Sequence, residues 1–375
     1  MKGQGHQIFV DELARFAAER ADVRVTAIAE RTAAPLRVAV RGRPGVGRST
    51  VARALDRAGA TSGITVTPSA GTTDMDVDLV VYVTTEVVKP EDADAIAAAV
   101  VPVLAVLNKA DLAGSLSGRT GDGPIAAART RCANLSELVG VTVEPMIGLL
   151  AVAALDDLDR TLWAALQVLA AHPGGSVSQS ALFEDPFEGS FDGFLAADNP
   201  VPADVRLHLL DTLDLFGTAL GVAAVRQGRT QAQVRALLRR MSCVDAVVNK
   251  VFALGAEVRY QRVLDAVAEL EALAVGQAGI GDERISGFLS RDDTVVARMA
   301  AAVDLAEAAG LGVGPVFADR DDPAAHLPRA ARWQRYSRGS VSDLHRACGA
   351  DIARGSLRLW SQTCGSLPEA HGESW

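Results

Sequence analysis

The chain has 375 residues, a length suited to about two domains of ordinary size. It is 49% hydrophobic and 22% charged, which excludes a disordered chain. A formal net charge of −9, with no lysine-rich block, excludes wholesale nucleic-acid binding.

Residues 8 to 30 carry helical periodicity through Phe9, Val10, Leu13, Phe16 and Ala17. No basic-then-apolar leader precedes them, so a cytoplasmic protein is expected. Pro35 introduces a buried strand, "LRVAV", which runs into the glycine-rich stretch "RGRPGVGRST" at residues 41 to 50. "STVARALDRAG" reads as a helix closed by Gly59. "GITVTP" and "DLVVYV" (from Asp78) read as strands, Glu91 to Val100 as a helix, and "VPVLAVL" as a further strand. The apolar run from Ala95 ends at Asn108 and Lys109, too short to span a bilayer. After the loop "GSLSGRTGDGP" come a helix over Ile125 to Leu138 and a strand, "VTVEPM". Strands alternating with helices specify an α/β domain with an open parallel sheet.

Beyond residue 150 the pattern changes. Leu155 to Ala171 is helical, and Asp156, Asp157 and Asp159 favour a helix N-terminus. "HPGGSVSQS" and "EDPFEGSFDGF" read as a long loop. Residues 203 to 225, 230 to 275 and 292 to 309 are amphipathic helices, the last opening at "SRDDTVVAR" with Ser290 or Asp292 as cap. "GVGPVFADRDDPAAHLP" is a second linker, and residues 329 to 361 are helical segments carrying Trp333 and Trp360, expected in a core or an interface. The resulting division is an N-terminal helix at 1–34, a sheet domain at 35–172, a linker at 173–202, an all-α C-terminal domain at 203–361 and a tail at 362–375. Cys132, Cys243, Cys348 and Cys364 show no CxxC spacing and read as buried thiols; the six histidines form no ligand pair. The arginines Arg229, Arg235, Arg239 and Arg240 read as a solvated helix face, with a membrane-surface or acidic-partner contact as the sharper alternative.

Two motifs carry the chemistry. Gly42, Gly45 and Gly47 let backbone amides face a phosphate, and Arg48, Ser49 and Thr50 open the following helix, whose N-terminus favours an anion. Val46 completes that loop, and Ser49 is the position for Mg²⁺, if a metal is used. The second motif is Asn108-Lys109-Ala110-Asp111 at the end of a buried strand. A carboxylate there can accept from the guanine N1 and N2 donors, and the amide can meet N7 and O6, a pattern that adenine does not offer.

Together these stretches resemble the small-GTPase-like superfamily, closest to its Era-like and bacterial dynamin-like branches, over about residues 35 to 150. The resemblance implies a P-loop parallel sheet with flanking helices, GDP or GTP as ligand, phosphate contacts at Gly42, Gly45, Val46, Gly47, Arg48, Ser49 and Thr50, and guanine contacts at Asn108, Lys109, Asp111, Gly148 and Leu149. "LLDTLDLFG", "LLRRMSCVD" and "VRYQRVLDAVAEL" resemble the helical region of actinobacterial dynamin-like GTPases of the isoniazid-inducible type.

The chain departs from that pattern in three places. Arg48 replaces the P-loop lysine; it keeps the charge but not the slim stem, and either contacts phosphates or turns outward to a carboxylate. Where the Era-like strand ends in its metal-orienting Asp and γ-phosphate-sensing Gly, this chain has Val66-Thr67-Pro68-Ser69; Asp74 and Asp76 are the nearest substitutes, and neither has glycine three residues on. No threonine occupies the Mg²⁺-ligating place, with Thr61, Thr72 and Thr73 only near it, and the last base-binding motif reads Ile147-Gly148-Leu149. Phosphoryl transfer rests on positioning and charge stabilisation, so damage to three of its parts points to weak or absent hydrolysis. One reading is a binding or regulatory pseudo-GTPase that pairs with a homologous GTPase or with itself; the other is an atypical GTPase that uses Arg48 and an unrecognised metal ligand. An adenine-nucleotide kinase is disfavoured by Asn108 and Asp111. No nucleic-acid partner is expected, and a membrane contact is not indicated.

Overall fold

The computed structural model describes residues 4–59, 63–67, 77–113, 123–156, 158–172, 191–196, 200–275, 282–313, 323–340 and 342–365. Thr61, Pro68, Ser69, Thr72, Thr73, Asp74, Asp76 and Asp157 lie outside them, as do most of the expected loops. The chain divides into two compact units, Pro35–Val251 and the combination of Met1–Ala34 with Phe252–Trp375.

The first of these units is built on five strands, β1 (Leu36–Gly42), β2 (Ile64–Thr67), β3 (Leu79–Thr84), β4 (Val103–Asn108) and β5 (Val143–Met146). All are parallel, in the order β2-β1-β3-β4-β5. The five expected strands are therefore the observed ones. Near-continuous apolar runs such as "LVVYV" have side chains buried on both faces, as a covered parallel sheet requires. Helices α3 (Arg48–Gly59), α4 (Pro90–Ala97), α5 (Pro124–Val139), α6 (Gly148–Leu155) and α7 (Arg160–Ala171) follow the strands, with a short 3₁₀ turn at Ala110–Ala113 after β4. The helix expected from Leu155 to Ala171 instead ends one helix and begins another. Asp156 stops α6, and Asp159 caps α7 by accepting from the Leu162 amide at 2.7 Å. Phe191–Ala196, read as loop, forms a short helix, α8.

The helices α9 (Ala203–Arg226) and α10 (Gln231–Met241) belong to this same unit. The sequence-based boundary at 203 is corrected accordingly: one apolar cluster joins Leu150, Leu162 and Leu166 of α6 and α7 to Leu209, Leu213, Val234 and Leu238 of α9 and α10. Among the described residues, α9 is the one helix long and apolar enough to cross a membrane by length and composition, and half of its apolar window is buried. Of the arginine face, Arg229, Arg239 and Arg240 are exposed as expected, while Arg235 turns partly inward toward the Ala154 carbonyl at the end of α6.

The helical unit contains α1 (Gly5–Arg20), α2 (Val23–Ala33), the greater part of α11 (Val244–Val275), α12 (Glu283–Ser290), α13 (Asp292–Ala308), α14 (Pro323–Gly339) and α15 (Asp343–Gly365). The single helix expected over 8–30 breaks at Ala21, which takes a left-handed φ of 52°, and Asp22 then caps α2. The 230–275 helix breaks likewise at Ser242 and Cys243, where Cys243 has φ 59°. Neither Ser290 nor Asp292 caps α13; Arg291 holds that position without a side-chain bond, and Ser290 closes α12. The N-terminal pair is not a separate element. Phe9, Leu13, Val25 and Ile28 share a core with Val263, Phe288, Met299, Trp333 and Ile352. Trp333 is buried in that core, as expected, and Trp360 is half-buried. Cys132, Cys243 and Cys348 are free and buried.

Candidate functional site

Sheet order reverses at β1, which has β2 on one side and β3 on the other. In open parallel sheets, ligands bind beyond the carboxyl ends of the strands at such a switch point. Both motifs singled out in the sequence lie at that end.

The glycine-rich turn leaves β1 at Gly42 and enters α3 at Arg48. Gly42, Gly45 and Gly47 have φ of 140°, 84° and 84°, a region that other residues rarely adopt. Two of them are fixed by close approach as well: a Cβ on Gly42 would come within 2.2 Å of the Val83 carbonyl oxygen, and one on Gly47 within 2.4 Å of Asn108 Nδ2. Arg43 ties the turn down. Its Nε donates to both oxygens of Asp92 at 2.8 and 3.0 Å, and the Tyr82 hydroxyl and Lys89 amide donate to the same carboxylate at 2.9 and 3.0 Å. Burial alone would raise the Asp92 carboxyl; the Arg43 guanidinium and the other two donors outweigh it and hold the group below the usual carboxylate range. Burial and the bond to Asp92 push the Tyr82 hydroxyl up to about 12. The sequence reading missed this anchor. Its only local trace is Asp92 at the third position of a helix opened by Pro90.

An open cleft of about 800 Å³ lies over the turn, lined by Gly45, Gly47, Arg48, Ser49, Asp56 and Thr67 among others. Ser49 is exposed, and no ion pair or hydrogen bond engages the Arg48 side chain among the described residues. Arg53 and Arg57, further along α3, share Asp156 at 2.5 and 3.4 Å. Val66 and Thr67 at the end of β2 form part of the cleft wall.

Asn108 is buried and joins two loops. Its Nδ2 donates to the Val46 carbonyl at 2.9 Å, and its Oδ1 accepts from the Gly148 amide at 2.9 Å. That leaves the amide one N–H and one lone pair for any other partner. Lys109 is exposed, with a left-handed φ of 55°, and Leu149 is half-buried. Asp111 is 5% exposed. Burial pushes its carboxyl above the usual range, and the charge of Asp214 on α9 adds to the rise. The cleft over the glycine-rich turn is therefore open, while Asp111, the residue expected to read a base, is buried.

A magnesium ion fits the described donors poorly. Ser49 offers one hydroxyl, and the described end of β2 offers no carboxylate. Asp56 stands nearly two turns along α3 from Ser49, about 10 Å by helical rise, whereas Mg²⁺ binds its ligands at about 2 Å. Among the described residues no cluster of three or more His, Cys, Asp or Glu could hold a metal. No protein-family model matches the chain, and no curated protein matches it.

Proposed function

We propose that the chain is a GTP-binding-protein-like module that holds a guanine nucleotide by its phosphates and acts as a regulatory pseudo-GTPase partner, in a homo- or hetero-complex, rather than as a competent hydrolase. The observation that carries this reading is Arg48, without a side-chain partner among the described residues, beside exposed Ser49 at the N-terminus of α3, in an open cleft at the switch point of the sheet. A helix N-terminus and a free guanidinium both favour an anion, and a guanidinium forks naturally onto phosphate oxygens. The poor fit of the described residues to Mg²⁺ argues against efficient phosphoryl transfer, because catalysis of that step is chiefly charge stabilisation.

Titration with labelled GDP and ADP tests the reading, with phosphate release from GTP measured in parallel. GDP is expected to bind, and Arg48→Ala to weaken it by about tenfold, the worth of one charged hydrogen bond of roughly 1.5 kcal/mol. Phosphate release should stay at the background rate. Brisk release that is lost in Arg48→Ala would establish an atypical GTPase instead, and affinity unchanged by that substitution would remove the phosphate-binding loop. Light scattering at micromolar concentration tests the partnering: a clean monomer that isolates no stoichiometric partner from its host would sink it.

A further inference from the structure

Helix α9 is broken at Asp214, whose φ and ψ are 60° and 179°. That combination is essentially reserved for glycine, and non-glycine residues held there concentrate at switches and ligand sites. The break is built in. The Leu215 amide donates to Asp214 Oδ1 at 2.7 Å, which replaces a helical bond, and the Thr218 hydroxyl donates to the Asp214 carbonyl at 2.7 Å. Leu213, fully buried on one side of the break, and Leu215, partly buried on the other, pack in the same cluster as Ala110, Ile147 and Leu150. Beyond the break α9 rides close on α6: a Cβ on Gly217 would come within 2.8 Å of Leu150 Cδ1. Helix α6 begins at Gly148, whose amide is bonded to Asn108. The cluster that holds Leu213 thus also holds Ala110, the neighbour of Asp111, while Gly148 bonds Asn108, and the charge of Asp214 bears on the Asp111 carboxyl.

We propose that the α9 break at Asp214 is a plug over the base-reading turn, which a guanine base displaces by letting α9 regain helical geometry; this rests on the nucleotide reading above. The closed state is held by burial of Leu213 and Leu215 and opposed by the Asp214 backbone and by the repulsion of the two carboxylates. The open state exposes those leucines, relaxes the backbone and gives Asp111 the two N–H donors of the base. A base that engages Asp111 in the open state alone then shifts the balance toward that state.

Asp214→Gly and Asp214→Ala separate the backbone from the charge, since both remove the carboxylate. Glycine accepts the broken geometry without strain and holds the plug shut; alanine favours the unbroken helix and opens it. In the full chain, Asp214→Ala is expected to bind labelled GDP about tenfold more tightly than Asp214→Gly, and to show faster hydrogen exchange over residues 108–113. Leu215→Ala, which removes part of the plug's seat, is a second opener if the alanine chain does not fold, and should shift both readouts in the same direction. Equal exchange in the opener and the glycine variant overturns the plug, whatever the nucleotide result. Different exchange with no GDP binding by any variant leaves the plug standing and removes the nucleotide reading. Different exchange with equal GDP affinity overturns the plug as a control on the base.

Discussion

Both compact units bury polar and charged side chains, but they do so differently. Among the described residues of the sheet unit, the buried polar groups Thr84, Asp92, Asn108 and Asp111 lie at or beyond the carboxyl ends of strands, while Arg206, Thr218 and Ser242 lie on or at the ends of helices. In the helical unit the buried polar groups lie between helices, and most are matched locally. Tyr260 and Arg298 both donate to Asp351 at 2.9 and 2.8 Å, while Arg329 bonds Ser356 and His326 at 3.0 and 2.6 Å. Clustered buried polar groups at the strand ends brace loops around a cleft, whereas paired ones between helices select the packing of a core. The first arrangement is what a binding site requires and the second is what a scaffold requires.

The contrast is most easily broken at Asp351. If the helical unit's charges are scaffold, Asp351→Ala strands the Arg298 guanidinium, 12% exposed, without its partner. Breaking one side of a buried pair costs about 3–5 kcal/mol. Hydrogen exchange should then accelerate across α1 and α13 to α15, and a loss under about 1 kcal/mol in denaturant would mean that the pair is not structural.

Asn108→Ala tests the other side. It leaves the Val46 carbonyl and the Gly148 amide without their partner, at a cost of about 1–3 kcal/mol for each buried group left unsatisfied. Because the lost bonds hold two loops at the cleft, phosphate binding should fall together with the melting temperature of the sheet unit. A stability loss with unchanged ligand affinity would reduce Asn108 to a structural brace.

His6 sharpens the comparison by pH. It is buried in α1, its main-chain amide bonds Asp304 at 2.9 Å, and its Nε2 has no hydrogen-bond partner among the described residues. Burial, reinforced by the charges of Arg259 and Arg262, lowers its pKa from 6.5 to about 4. The unfolded chain therefore binds a proton that the folded unit refuses between those values. Stability is full above about pH 6.5 and falls as the pH drops toward 4, by on the order of 2–3 kcal/mol. His6→Gln should flatten that part of the profile in urea titrations between pH 4 and 7; an unchanged slope would show that His6 does not carry it.

The strands and the glycine-rich turn were legible because their signals are local. "LVVYV" and "VLAVLN" are apolar beyond what an exposed strand tolerates, and the left-handed glycines needed for the turn stand in the sequence itself. The same reading failed where a residue's role depends on a partner far along the chain. Arg43 meets Asp92 across 49 positions, and Asn108 meets Val46 and Gly148 across 62 and 40. Short-range periodicity also could not assign α9 and α10 to the sheet unit or α1 and α2 to the helical one, because an amphipathic face shows that a helix packs and not which neighbour it packs on. The break in α9 is the sharpest case. "LLDTLDLFG" holds no glycine or proline at Asp214, so propensity favours an unbroken helix there. Only the burial of Leu213 in the cluster that also holds Ala110, Ile147 and Leu150, together with the carboxylate's bond to the Leu215 amide, offsets that preference and breaks the helix.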